Sequence, residues 1–347
     1  MALAYSKKQG KVTMRDVARA ANVSQSTVSR ILNPSASKSK VPISEETKEK
    51  VLSVIKELGY QPNQYARALR GQKNHVIAML IADISNPFYH PMVRAVQDVA
   101  SQYHYGVMIA NSDHLHEKEM LFCESLLRHP VDGAVMVPYH LTDDDLQNLM
   151  ERTGMAISAV GNHVQHPEID VVYADDTKAS YDAIRWLIEQ RGHQRIAMIC
   201  ASHKFPVTVR RYGAFQQAMK EAGLSVPAEY VVEGDWSPES GRRAISSLLA
   251  LPNPPTAVFA ASDTIAIGAL DAAEKMNYRV PEDIAIIGFD DVPAASWVRP
   301  QLTTVAQYPG EMGTLLAKAL FQRIRGEYNG PSRRFEVPCR FFERASA

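Results

Sequence analysis

The chain has 347 residues, which at the ~100–200 residues usual for a domain predicts two or three compact units, each able to bury a core without disulfides. Its 38 Lys/Arg balance 38 Asp/Glu overall, yet residues 1–74 carry 14 against 5, a net of +9, and residues 75–347 carry 24 against 33, a net of −9, so a basic head sits on an acidic body. Three scattered cysteines (Cys123, Cys200, Cys339) argue against a disulfide framework or a Cys-based zinc site, and no apolar run resembles a signal peptide or approaches the ~18 residues of a membrane span; a cytoplasmic protein is expected.

Apolar side chains at Met14, Val17, Ala18 and Ala21 follow the spacing of a helix with one buried face, and Thr13 with Asp16 forms a capping pair before it. After Asn22 and Val23, Ser24 caps a second helix from Gln25 to about Leu32 that turns Val28, Ile31 and Leu32 inward. Two short helices joined by three residues have helix-turn-helix geometry. An ordinary helical pair would share that outline, but here the outward side carries Gln25, Ser26, Thr27, Ser29 and Arg30. Arg matches guanine O6/N7 and Gln matches adenine N6/N7, so this face is predicted to read the major groove of DNA. The loop from Asn33 to Ile43 is Ser-, Lys- and Pro-rich, and its Lys38 and Lys40 can meet phosphates or simply be solvated. Ser44 caps a third helix with Glu45 and Glu46 in its first turn, a buried stripe at Val51, Leu52, Ile55 and Leu58, and a stop at Gly59. Between Pro62 and Gly71 lie eight good helix formers, too few to persist alone in water, with Leu69 flanked by Arg67 and Arg70.

The run VTMRDVARAANVSQSTVSRILN (12–33) and the segment LGYQPNQYARALR (58–70) resemble the headpiece and hinge of the LacI/GalR family of bacterial transcription regulators, apart from a loop before Ser44 a few residues longer than in most members. The resemblance implies DNA contacts from Thr13, Ser24, Gln25, Ser26, Thr27, Ser29, Arg30 and Asn33, and from Asn63, Tyr65, Ala66 and Leu69 in a hinge helix. Leu69 would be a minor-groove wedge, paired across a homodimer on a palindromic operator.

Beyond Asn74 short apolar runs at 76–81, 107–110, 134–137, 156–160, 196–200, 257–260 and 284–288 alternate with helical stretches at 88–104, 117–129, 177–190, 209–222, 238–249 and 264–276. That order predicts parallel sheets with helices on both faces, and some 270 residues predict two stacked α/β subdomains. The sequence carries no G-x-G-x-x-G, Walker A, G-x-S-x-G or H-E-x-x-H motif, so no cofactor, metal or catalytic residue is expected, nor enzymatic activity. His114 and His116, two apart, are read as solvated and not as metal ligands.

The body also resembles the LacI family, whose effector domain has the fold of periplasmic sugar-binding proteins. The matching motifs are DISNPFY (83–89), VDG (131–133), RGHQRIA (191–197), RRYG (210–213), GDWS (234–237), Ser262-Asp263 and GFDD (288–291). The resemblance implies a headpiece at 1–60 and a hinge with linker at 61–74. It further implies a first effector subdomain from 75–161 and 306–335 and a second from 162–305 and 336–347. An effector pocket between them would take Asp83, Phe88 and Tyr89 from the first, and Arg210, Trp236, Ser262 and Asp290 from the second. Carboxylates, a guanidinium and aromatic faces suit a sugar or sugar derivative. Helix capping is the competing role for Asp83 and Asp290, core packing for Trp236, and capping or support for Asp263 and Asp291. The expected function is repression of transcription from the nucleoid under control of a small metabolite; the alternative is a soluble sugar-binding receptor or a sugar-acting enzyme.

Overall fold

A computed structural model describes residues 12–32, 42–60 and 73–347. The chain separates into two compact units, residues 1–74 and 75–347.

In the first unit, α1 (Met14–Ala21), α2 (Gln25–Leu32) and α3 (Glu45–Leu58) pack around Val17, Ala18, Ala21, Val28, Val51 and Tyr60. The capping logic holds. The Thr13 N–H and hydroxyl both donate to Asp16 Oδ2 at 3.0 and 2.6 Å, and the Ser24 and Ser44 hydroxyls accept from the N–H groups of Thr27 and Thr47. Gly59 ends α3 at φ +61°, where a side chain would be strained. The expected stripe on α3 needs correction. Leu52 and Leu58 are exposed, and Val54 joins Val51 and Ile55 on the inner face. Leu52 stands one residue, about 100° of rotation, from Val51. Asn33, Lys38 and Lys40, and the hinge positions Asn63, Tyr65, Ala66 and Leu69, lie outside the described residues.

The second unit contains two parallel sheets. β1 (Val76–Ile81), β2 (Gly106–Asn111), β3 (Gly133–Met136), β4 (Ala156–Val160), β5 (Asp170–Ala174) and β11 (Arg334–Val337) form the first lobe in the order β11-β5-β4-β3-β1-β2. β6 (Ile196–Ala201), β7 (Val231–Gly234), β8 (Ala257–Ala260) and β9 (Ala285–Ile287) form the second in the order β7-β6-β8-β9. β10 (Thr304–Ala306) and β12 (Arg340–Phe342) pair antiparallel, and single bridges Ile287–Thr303 and Asp290–Ala306 tie this ribbon to the second sheet's edge.

The central strands of both sheets alternate between two cores. In β1, Ile77, Met79 and Ile81 join one cluster and Ala78 and Leu80 the other; in β6, Ala197 and Ile199 face away from Ile196, Met198 and Cys200. Continuous apolar runs are what parallel strands covered on both faces require. Eight helices cover these sheets: α4 (Tyr89–Gln102), α5 (His116–Arg128), α6 (Asp143–Thr153), α7 (Asp176–Glu189), α8 (Pro206–Glu221), α9 (Pro238–Leu249), α10 (Asp263–Lys275) and α11 (Pro309–Ile324).

The expected subdomain boundaries shift. β5 pairs with β4 and not with the second sheet, so the first lobe continues through Ala174 instead of ending at residue 161, and β11 carries it through Val337 instead of 335. The buried Asp170 explains part of this. It accepts hydrogen bonds from Arg323 on α11 and from Arg333 just before β11, fastening the returning chain to β5. The chain therefore crosses between lobes after β5, after β10 and after β11.

Candidate functional site

On α2, Gln25 and Ser26 are exposed, Thr27, Ser29 and Arg30 are half-buried, and Val28 alone is fully buried. The helix therefore presents its N-terminal polar side chains outward, as groove reading requires. Ser24 and Thr13 differ in that their hydroxyls are already committed. Ser24 caps α2 and contacts the hydroxyls of Ser26 and Thr27 at 2.7 and 2.8 Å, and Thr13 bonds Asp16.

The two lobes enclose an inner chamber with about 780 Å³ of atom-free space, its mouth included. Phe88, Tyr89, Tyr139 and Trp236 supply aromatic wall; Asn86, His163, Asp176, Arg210, Arg211, Asp290 and Gln307 supply polar groups. Strand ends and helix starts deliver them. Asp176 opens α7 just after β5, Arg210 and Arg211 lie in the first turns of α8, and Asp290 follows β9. Ligands of open parallel sheets bind at such carboxyl ends.

The arginines are tied to the chain's own carboxylate. Arg210 donates to both oxygens of Asp176 at 2.8 and 2.9 Å, and Arg211 Nε lies 3.5 Å from the same group, with its guanidinium 3.8 Å over the Phe289 ring. Sequence reasoning gave Arg210 no structural task; it holds Asp176, whose side chain is only 3% exposed. Arg211, Asp176, Tyr139, His163 and Gln307 went unnamed. Two of them carry a signal in the sequence: Asp176 belongs to an Asp pair directly after a strand, and Arg211 stands beside the first arginine.

Asp290 is 7% exposed at φ +123°, and its Oδ1 accepts from Gln307 Nε2 at 2.6 Å. Burial pushes its carboxyl up to about 8, with Arg211 pulling back and Asp263 pushing further. Burial likewise raises Asp263, against hydrogen bonds from Thr304 and the Val292 N–H. A carboxyl raised in the folded state holds its proton there after the unfolded chain has lost it. Its stabilising contribution is full below the ordinary carboxylate range and is lost as pH rises through about 8. Asp290 should therefore contribute more to the body's stability at pH 5.5 than at pH 8.5. His114, His163 and His193, which burial lowers, act in the opposite sense, so Asp290→Asn should make the melting temperature at pH 5.5 minus that at pH 8.5 smaller than in wild type. Equal pH slopes for the two proteins in thermal melts would show that Asp290 does not titrate in this window.

An outer cleft of about 1370 Å³ shares Asn86, His114 and Trp236 with the chamber. Asp83 lines this cleft and not the chamber, and its carboxylate accepts from the Ser85 N–H and hydroxyl, a turn-capping role. Ser262 lines neither space. It is 1% exposed and caps α10 by accepting from the Ile265 N–H, so the expected effector contact is corrected to helix capping. Asp263 is buried between Val292 and Thr304, and Asp291 pairs with Arg344, which makes both structural supports. Phe88, Tyr89, Arg210, Trp236 and Asp290 do meet at the chamber. His114 is not solvated as expected: its ring packs 4.8 Å from Tyr139, 5.4 Å from Phe205 and 6.2 Å from Trp236, and burial lowers its pKa.

A helix-turn-helix unit followed in the chain by a body of two parallel-sheet lobes with a chamber between them defines a class, the DNA-binding regulators that carry a small-molecule-binding body. Residues 13–63 match the family model for bacterial regulatory proteins of the lacI family, and residues 184–347 match that for the periplasmic binding protein-like domain. The chain is 33% identical over 317 residues to catabolite control protein A of Priestia megaterium, covering 91% of this chain and 93% of that protein. It is 32% identical over 343 residues to the transcriptional repressor CytR of Escherichia coli K12, covering 98% and 97%. Among solved structures it resembles the lac repressor dimer bound to operator and the anti-inducer ONPF, with 26% identity, a TM-score of 0.79, and 97% and 99% of the two chains covered. It also resembles the regulator CelR in complex with cellobiose, with 30% identity, a TM-score of 0.70, and 97% and 100% covered. The chain belongs to the LacI family of bacterial transcription regulators. No described helix is long and apolar enough to cross a membrane.

Proposed function

We propose that this chain is a homodimeric repressor that grips a palindromic operator and is governed by a sugar or sugar derivative held in the inner chamber. The observation that carries this reading is the chamber itself, where Arg211, Asp290 and Gln307 form a polar end against Phe88, Tyr139 and Trp236. Aromatic faces cover a sugar ring and the polar end pairs with its hydroxyls. Solved relatives support the ligand class, since one holds cellobiose and another ribose.

An effector that touches both lobes favours one angle between them. Any resulting change in operator affinity is reciprocal, because DNA must change effector affinity by the same factor. In this reading Gln25, Ser26, Thr27, Ser29 and Arg30 read bases, while Thr13, Ser24 and Asn33 hold the backbone. Asn63, Tyr65, Ala66 and Leu69 form the hinge contact, with Leu69 as the wedge. The chamber binds its ligand without turning it over, and the protein works in the cytoplasm on the nucleoid.

A thermal-shift panel of D-ribose, cellobiose, other sugars, sugar phosphates and nucleobases, followed by gel shifts on selected genomic fragments, tests the reading. A hit that stabilises the protein and alters operator affinity supports it. No preference for any fragment over random competitor, with or without the panel, would refute it. Arg30→Ala is expected to cost ~1–3 kcal/mol at the operator and to spare non-specific binding. Equal losses on both DNAs, measured by titration at fixed salt, would remove Arg30 from base reading.

A further inference from the structure

Glu119 is a carboxylate with 0% exposure in the first turn of α5 and does not itself line the chamber. Its two oxygens accept three successive backbone N–H groups: Tyr139 at 2.8 Å on Oε1, and His140 at 3.0 Å and Leu141 at 2.9 Å on Oε2. Such a set solvates a buried charge, aided by the positive end of the helix that carries it. It also fixes the turn that follows β3, and that turn carries Tyr139 into the chamber wall.

The Tyr139 and Tyr89 hydroxyls stand 3.0 Å apart, both lining the chamber. One hydrogen bond between two phenols uses one hydrogen and leaves the other to give. Burial raises both phenols above their ordinary range, so both keep their protons near neutral pH.

We infer that Glu119 is a positioning residue for this chamber: by fixing residues 139–141 it holds Tyr139 against Tyr89, so that the hydroxyl pair offers one O–H to an acceptor oxygen or nitrogen on the bound effector. The inference rests on the chamber being the effector site. Glu119→Gln replaces one acceptor oxygen by an NH₂ that must face a backbone N–H, while nearly conserving volume.

The test uses the full chain, with D-ribose and cellobiose as probes in calorimetric titrations of wild type, Glu119→Gln, Tyr139→Phe and the double variant. For a probe that wild type binds, each single variant should lose about tenfold in affinity, and the double variant should lose no more than Tyr139→Phe alone, because both changes remove one interaction. Affinity of Glu119→Gln within about twofold of wild type, or losses that multiply, would overturn the inference. Amide hydrogen exchange decides independently of any ligand. Exchange at residues 139–141 should quicken by about tenfold or more in Glu119→Gln while the rest of α5 keeps its protection, and unchanged exchange would overturn the inference. If neither probe binds wild type, the sugar reading fails for these two molecules and the exchange result still decides the role of Glu119. Should Glu119→Gln not fold, Glu119→Asp, which keeps the charge but is one methylene short, carries the same exchange comparison.

Discussion

Asp176→Ala is expected to lower the melting temperature of the body by roughly 10 °C. Removing one partner of a buried ion pair costs about 3–5 kcal/mol, and a domain of this size loses roughly 2–4 °C per kcal/mol. Here one carboxylate serves two cations. Arg210 is held by two charge-assisted hydrogen bonds, and Arg211, with a side chain only 4% exposed, would keep the Ala261 carbonyl, the Phe289 face and the electrostatic influence of Asp290 but lose its contact with the Asp176 carboxylate. Asp176→Asn keeps the shape and one acceptor, so its loss should fall between wild type and alanine. Because the same groups line the chamber, any effector found by thermal shift should stabilise the alanine variant less than wild type. A melting temperature within 2 °C of wild type, about 1 kcal/mol or less, would show that the two arginines do not depend on Asp176.

Gly268→Ala is expected to be the other severe change, although alanine is ordinarily the better helix former by about 1 kcal/mol. A Cβ at Gly268 would stand 1.8 Å from the Pro238 carbonyl oxygen, and one at Gly241 would stand 2.0 Å from the Ile265 carbonyl oxygen. Helices α9 and α10 therefore meet backbone to backbone, with no flexible side chain to yield. Relief requires moving the start of α9, and with it Trp236, whose carbonyl accepts from Thr264 at 2.8 Å. Overpacking of this kind costs roughly 1–3 kcal/mol and occasionally more, and the backbone contact places Gly268→Ala at the upper end. The variant should melt lower and show altered Trp236 emission, after allowance for Trp186 and Trp297. A melting temperature equal to wild type would mean that the two helices can separate at little cost.

The glycine and the carboxylate show where reading a sequence stops. Helix interiors such as that around Gly268 carry no local sign that another backbone lies against them. Asp176 likewise follows a strand in the manner of a capping residue, while its partners sit 34 residues later on another helix. Arg210 does line the chamber, but its pairing with Asp176 escapes the sequence for the same reason, since an arginine's own surroundings in the chain do not reveal which carboxylate it will meet. The family resemblance makes Ser262 a ligand contact; its hydroxyl instead completes the start of α10.

The headpiece was legible because its determinants are local. Thr13 with Asp16, Ser24, Ser44 and Gly59 act on backbone groups within four residues, and Val17, Ala21 and Val28 follow the helical period, so α1, α2 and α3 have the predicted limits. In the body, the apolar runs and their alternation with helices determined the parallel α/β class. Tertiary structure decided which sheet takes β5 and β11, where the lobes divide, and which polar groups share the chamber. Those outcomes depend on pairings between residues far apart in the chain, such as Asp170 with Arg323 and Arg333, and no periodicity records a partner more than a hundred residues away.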